Sequence, residues 1–334
     1  MRAQKFLLLI LITLGISLFT FLVFNHVQKH SSTKTKIPIV AIANYGPHSS
    51  LQESINGIQE ELAHQGFIKD KTIHYEIMEV NFDTTLIPQM ITRLKYFAPN
   101  VLVAITTPVA QFAKHSIKDI PVVYSVITDP VEAGLLRDSN TPENNITGSS
   151  DKQNLTLLLQ FAKSILPHAK TIGLLYAPSE ANDLALVNMM KEAAFKHNME
   201  VLSIPIDHVR DMAIRMQAFK HKVDFIYVGS SGPIQPSLPG IAKSADKMGI
   251  PVFNVESNAV KSGLVLASFG VNYKEVGKNT GKLIAQVLQG KKVANLTPLY
   301  PKTKNHHGYI HLEKAKALGI SLPKNLPQVN LVEN

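Results

Sequence analysis

Residues Val101–Leu136 read VLVAITTPVAQFAKHSIKDIPVVYSVITDPVEAGLL. Two short β-branched runs, Val101–Ile105 and Pro121–Val126, flank one helix-length segment. Both runs are apolar on both faces, as strands are when a parallel sheet is covered by helices on either side. Each ends in a small polar pair, Thr106-Thr107 and then Thr128-Asp129. Open α/β sheets bind ligands at the carboxyl ends of their strands. Two adjacent strands thus bring hydroxyls, free backbone N–H groups and a carboxylate to one edge, which reads as half of a cleft.

Outward from that stretch, the same alternation runs in both directions. Upstream, Ile37–Ala43 and Thr72–Val80 read as strands. Ser49–Gly66 and Thr84–Ala98 read as helices, the first with Leu51, Ile55, Ile58 and Leu62 on one stripe. Downstream, the Pro/Asn/Gly-rich Asp138–Gly148 breaks the rhythm and marks a crossing. Helices are then expected over Leu155–Leu166, Asn182–Asn198, Asp207–His221 and Pro233–Met248. Strands are expected over Thr171–Tyr176, Val201–Ile206, Val223–Gly229 and Pro251–Val255. The fold class is therefore α/β, with two doubly wound parallel-sheet lobes. Gly263–Phe269, Tyr273–Gln289, His307–Leu312 and Glu313–Leu318 are too short to bury a core of their own. They must complete the two lobes, so the chain crosses more than once and forms a multi-strand hinge. Lobe 1 is expected over 37–147 and 255–300, and lobe 2 over 148–254 and 301–330.

Arg2 and Lys5 precede an uncharged 19-residue run, Phe6–Phe24, long enough for a membrane-spanning helix. No small-x-small cleavage site follows it. Residues 1–36 read as a signal peptide or membrane anchor with a polar tether, which implies an extracytoplasmic or periplasmic protein. This leader also accounts for much of the net charge of +9. Its five basic residues, with no acid among them, leave 29 Lys and Arg against 25 Asp and Glu, a net +4. No basic stripe with interleaved aromatics is present, so nucleic acid is not an expected partner. Cysteine is absent, which excludes disulfides, thiolate metal sites, a catalytic cysteine and a lipid-modified cysteine.

Catalytic and cofactor signatures are missing. Gly229-Ser230-Ser231-Gly232 has the wrong spacing for a nucleophile elbow. Gly277-Lys278-Asn279-Thr280-Gly281-Lys282 lacks the gap of a phosphate loop, and its glycines suit close helix packing. His306-His307 on a strand would point to opposite faces, poor geometry for one metal. No enzyme activity, metal or cofactor is expected.

Ala104–Gln111 (AITTPVAQ), Ile120–Leu136 (IPVVYSVITDPVEAGLL) and Asn145–Gly148 (NITG) carry a family likeness. So do Lys170–Asn182 (KTIGLLYAPSEAN), Val223–Val228, Ile250–Val255 and Gly263–Gly281 (GLVLASFGVNYKEVGKNTG). In this order, from about residue 37 to about 320, the chain resembles the ABC-transporter substrate-binding proteins of the aromatic-amino-acid (tryptophan/tyrosine) type. The resemblance implies a type I periplasmic-binding-protein fold whose lobes close on a small amino-acid-like ligand. It also implies an ABC permease with its ATPase as partners. By position, the family's ligand contacts fall on Asn44 and Tyr45, Thr106 and Thr107, and Thr128 and Asp129. They continue on Glu180, Ala181 and Asn182, and near Ser231 and Glu256. Glu256 stands where the family pattern is closer to Asp, and is one methylene longer.

The chemistry of those residues is legible beside the likeness. Thr106, Thr107 and the N–H groups opening the helix at Pro108 suit a ligand carboxylate, or the threonines simply cap the helix. Asp129 suits an ammonium, or is a turn residue before proline. Asn182 faces the cleft or caps the next helix. Tyr45 and Tyr176 can stack on an apolar ligand body or pack at the rim. Two other classes stay open: a membrane-tethered ligand-sensing domain, and an enzyme on the same scaffold.

Overall fold

The computed structural model describes residues 37–143, 145–323, 326 and 329–333. The apolar run 6–24 and its tether lie outside the described residues. The first lobe is wound from β1 (Ile39–Asn44), α1 (Ser49–His64), β2 (His74–Glu79) and α2 (Ile87–Tyr96). It continues through β3 (Val101–Ile105), α3 (Thr107–Ser116), β4 (Val122–Ile127) and β5 (Ile146–Ser150). All five strands are parallel, in the order β2-β1-β3-β4-β5. Every residue of β3 and β4 is buried, as two-sided apolar runs require.

The second lobe takes α4 (Leu155–Ile165), β6 (Thr171–Tyr176), α5 (Ala181–Lys196), β7 (Glu200–Pro205) and α6 (Met212–Met216). Then follow β8 (Phe225–Val228), α7 (Leu238–Met248), β9 (Val252–Asn254), α8 (Ser257–Lys261) and β10 (Ala267–Val271). After α9 (Tyr273–Leu288), β11 (His306–His311), α10 (Leu312–Ala317) and β12 (Val329–Val332) finish the seven-stranded sheet. Within it the run β7-β6-β8-β9-β10 repeats the order of the first lobe, with β11 antiparallel at its side. Strand order therefore reverses between β1 and β3 in one lobe and between β6 and β8 in the other. At such reversals the helices diverge and leave a crevice at the strands' carboxyl ends.

The helix after each lobe's fifth strand packs on the opposite lobe. Leu155, Leu158 and Leu159 of α4 belong to the second core, and Val276, Leu283 and Ile284 of α9 to the first. α9 lies so close to α1 that a Cβ on Gly277 would stand 2.0 Å from the Ser54 carbonyl oxygen. Beside that contact a buried chain of hydroxyls joins α1, β4 and α9, from Ser54 to Ser125 (3.0 Å) and on to Thr280 (2.8 Å). The third crossing runs beside the first: Ser150 N–H donates to the Leu299 carbonyl, and Leu299 N–H to that of Gly148.

Three expectations are corrected here. The boundary expected at residue 255 lies at 272, because the strand expected over 263–269 forms as β10 and pairs with β9 in the second sheet. Residues 146–148, read as the end of a crossing, form β5 together with Ser149 and Ser150 and complete the first sheet, so that boundary moves from 147 to 150. Asp207–His221, expected as one helix, is α-helical only over α6. Only Met212, Met216 and Phe219 find a core there, while Ile214 is 73% exposed.

Candidate functional site

The crevices of the two lobes face one another across one shared cavity. The first lobe contributes Tyr45 after β1, Thr106 and Thr107 after β3, and Val126 and Thr128 at the end of β4. His48, Ser50 and Leu51 at the opening of α1, and Phe82 after β2, complete that wall. The second lobe contributes Glu180 and Asn182 after β6, Ser230 to Gly232 and Gln235 after β8, and Glu256 after β9. Tyr273, the first residue of α9, closes the hinge side.

On the first wall the backbone is strained where it meets the cavity. Thr106 has φ +79° and Val126 φ +58°. A β-branched residue in that region is a true outlier, and such strain clusters at ligand sites. At Val126 the β4–β5 register shifts between Ser125 and Ile127, and this carries Val126 into the cavity lining. At Thr106 the strain opens α3 toward the space. Thr106 makes no side-chain cap, and its buried Oγ1 has no partner. The first intrahelical bond is Ala110 N–H to the Thr106 carbonyl. The N–H groups of Thr107 and Val109 therefore have no intrahelical acceptor, and Pro108 between them has no N–H to offer. Helix capping does not consume this end.

Carboxylates dominate the second wall. Glu180 Oε1 accepts a hydrogen bond from Tyr45 Oη across the cleft (2.8 Å). Gly232 permits that contact, since a Cβ there would fall 2.4 Å from the Tyr45 ring. Behind Glu180, Asp183 accepts from Ala177 N–H (2.6 Å), Ser231 Oγ (2.8 Å) and Asn182 Nδ2 (2.9 Å), tying the two loops together. Burial raises the Glu180 pKa. Burial and then the Glu180 charge push Asp183 up to about 8. Glu256 Oε1 lies 3.2 Å from His48 Nδ1, which also accepts the Ser50 N–H that caps α1. Burial lowers the His48 pKa and pushes Glu256 up to about 7.

Tyr45, Thr106, Thr107, Thr128, Glu180, Asn182, Ser231 and Glu256 thus meet around one space. Asn44, Asp129 and Ala181 do not line it. Asn44 Nδ2 donates to the Gly46 carbonyl and to Glu79. Asp129 accepts the N–H groups of Val131 and Glu132 in a turn and pairs with Lys152, which occupies its carboxylate. Ala181 is the first residue of α5 and half-buried. Asn182 is not a cap, a place held by Glu180. Tyr176 packs against the second core. Among the lining residues not expected, His48 and Ser50 stand at a legible helix start, whereas Phe82 and Val126 have no local signal. Tyr273 is seen only once the crossing of α9 is known.

Three comparisons with known proteins fit this architecture. Residues 39–330 match the model of the ABC transporter substrate binding protein family, and the chain belongs to that family. It is 30% identical over 272 residues to a tyrosine-binding protein of Clostridioides difficile (strain R20291), covering 81% of this chain and 78% of the relative. The structure of an ABC domain in complex with L-Trp from Streptococcus pneumonia is 30% identical, with a TM-score of 0.83 over 89% of this chain and all of that one. A ligand-free, open structure of a substrate-binding protein with adhesive properties from Clostridium difficile has the same coverage and 28% identity, yet a TM-score of 0.69. The chain overlays better on the ligand complex than on the open state, as expected of a cleft shut by the Tyr45–Glu180 hydrogen bond.

Proposed function

We propose that the protein captures a small amino-acid-like ligand, with an apolar or aromatic side chain, between its lobes and presents the closed form to an ABC permease and its ATPase outside the cytoplasm. The observation that carries this reading is the opposition of the two walls. An uncapped helix start and free hydroxyls face carboxylates across one cavity that both lobes line. The α-carboxylate would meet Thr107 and the N–H groups opening α3. The ammonium would meet Glu256 and Glu180. Tyr45 and Phe82, edge to face at 5.5 Å, together with Leu51 and Val126, would enclose the side chain. The relatives at 30% identity are a tyrosine-binding protein and a domain in complex with L-Trp, which supports this class. The apolar run 6–24 would export the chain or hold it at the membrane.

A ligand touching both walls stabilises the closed form, and one touching a single wall does not. A thermal-shift screen against the common amino acids tests the reading. At a hundred times its dissociation constant, a true ligand adds about 2.7 kcal/mol and raises Tm visibly. L-Tyrosine or L-tryptophan should do so. A flat response to every amino acid would refute the assignment.

A further inference from the structure

The cavity is unbalanced in charge. Glu180 and Glu256 line it, Asp183 stands behind the first, and Asp151 lies near the second at the crossing from β5 to α4. None of the lining residues is Lys or Arg. Lys152, next along the chain, is paired with Asp129. His48 is the one basic side chain in the lining, and its Nδ1 faces Glu256 and the Ser50 N–H. Asp151, 1% exposed, lies behind the lining with the Tyr273 and Ser230 hydroxyls beside it. One further acceptor lining the cavity is left without a donor. Asn182, 8% exposed and lining the cavity, has an unpartnered Oδ1. Its amide orientation is fixed, because Nδ2 donates to Asp183 Oδ1 (2.9 Å) and to the Ser230 carbonyl (3.4 Å). Turning the amide over would set oxygen against oxygen.

From this asymmetry we infer that the cleft is an ammonium receptor first: the ligand's positive charge anchors recognition at Glu256, Glu180 and Asn182 Oδ1, and its carboxylate is an accessory. The inference rests on the reading of the cleft as the solute site and narrows the class of solute. A primary ammonium supplies three N–H donors and one positive charge, which are what this wall lacks. A metal ion is a poorer occupant, since no three carboxylate or imidazole groups converge among the described residues. A carboxylate on the other wall would meet only neutral hydroxyls and helix N–H groups. Such contacts typically account for up to about thirtyfold in affinity. Above about pH 7, where Glu256 is ionised, leaving it without a cation costs on the order of a thousandfold.

Calorimetric titration of the protein with matched ligands tests this. The series are L-tyrosine, tyramine and 3-(4-hydroxyphenyl)propanoate, and L-tryptophan, tryptamine and indole-3-propanoate. Tyramine or tryptamine should bind within about thirtyfold of its amino acid, and the matching acid about a thousandfold more weakly or undetectably. Glu256→Gln, nearly isosteric and without the charge, should weaken the amine far more than the acid and collapse the ratio between them. An acid that binds as well as its amine, or an unchanged ratio in Glu256→Gln, would overturn the inference. Should neither amino acid bind, the amino-acid reading fails, and the amines decide the inference alone. Binding of tyramine, tryptamine or phenethylamine then sustains it, and silence from all three overturns it.

Discussion

The two walls of the cleft come from the same winding order and do opposite chemistry. In the first lobe the strand ends carry Thr106, Thr107 and Thr128, with strained backbone and an open helix start. In the second the corresponding ends carry Glu180, Asn182 and Glu256, with acids buried behind them. Topology fixes where a ligand sits, and the side chains after each strand fix which end of it is read. A zwitterion spans the difference, so only a molecule with both ends, or a strong hold on one, shuts the lobes.

The contact between the walls is the place to break this arrangement hardest. Gly232→Val would drive a methyl into the Tyr45 ring and wedge the lobes apart. Overpacking of this kind costs roughly 1–3 kcal/mol, so affinity for L-tryptophan or L-tyrosine should fall up to about a hundredfold with the melting curve still cooperative. Native affinity in this variant would show that the lobes need not meet.

A smaller effect sharpens the difference between walls. Thr107→Val keeps shape and backbone but removes a hydroxyl. The amino acid should bind about tenfold more weakly, as for one hydrogen bond to a charged group, and tyramine or tryptamine almost unchanged. Equal losses for both would place the ammonium, not the carboxylate, at α3.

The acid wall alone should respond to pH. A carboxyl whose pKa is raised on folding stabilises the fold while it keeps its proton, and that contribution is lost as pH climbs through the folded value. Glu256 at about 7 and Asp183 at about 8 set the window. His48 and His306, lowered by burial, act in the opposite sense, but only near and below the ordinary histidine value of about 6.5. The Tm of the ligand-free protein should therefore fall from about pH 6.5, where the histidines cease to act, to about pH 8 and level off above it, and Glu256→Gln should flatten the part of the fall below about pH 7. A rising Tm would contradict the buried acids. Least of all should change with Asp129→Asn: ligand affinity within about twofold, and stability lower by about 1 kcal/mol through the loss of its turn and Lys152 pairing.

The strands of this fold were legible because parallel strands buried on both faces are continuous apolar runs, as β3, β4 and β6 show. β5 escaped notice since its ITGSS is mostly polar and yet wholly buried. Two of its three hydroxyls are satisfied internally, Ser150 Oγ by the Ile127 carbonyl and Thr147 Oγ1 by that of Leu296, while Ser149 Oγ has no partner. Those partners are distant in sequence. The misplaced boundary at 255 has the same origin, because which sheet β10 joins is a long-range choice that no local pattern records. Thr106, Thr107 and Thr128 were readable from the strand ends themselves, whereas Tyr45, Glu180, Asn182, Ser231 and Glu256 came from the family resemblance. Val126 was not, as its exposure to the cavity comes from a register shift, and neither was Tyr273, whose helix packs on the far lobe. Asp129 shows the converse: a plausible ammonium partner by sequence, its carboxylate is held by Lys152, a partner 23 residues away.

Closure over a ligand is the claim on which the rest stands. The chain has no cysteine, so spin labels can be placed cleanly at Gln89→Cys on α2 and Leu184→Cys on α5, both exposed positions on opposite lobes. The distance between them, measured by pulsed electron spin resonance, should be broad or bimodal without ligand and collapse to a single shorter distance with saturating L-tryptophan or L-tyrosine. A distribution that binding leaves unchanged would contradict the account.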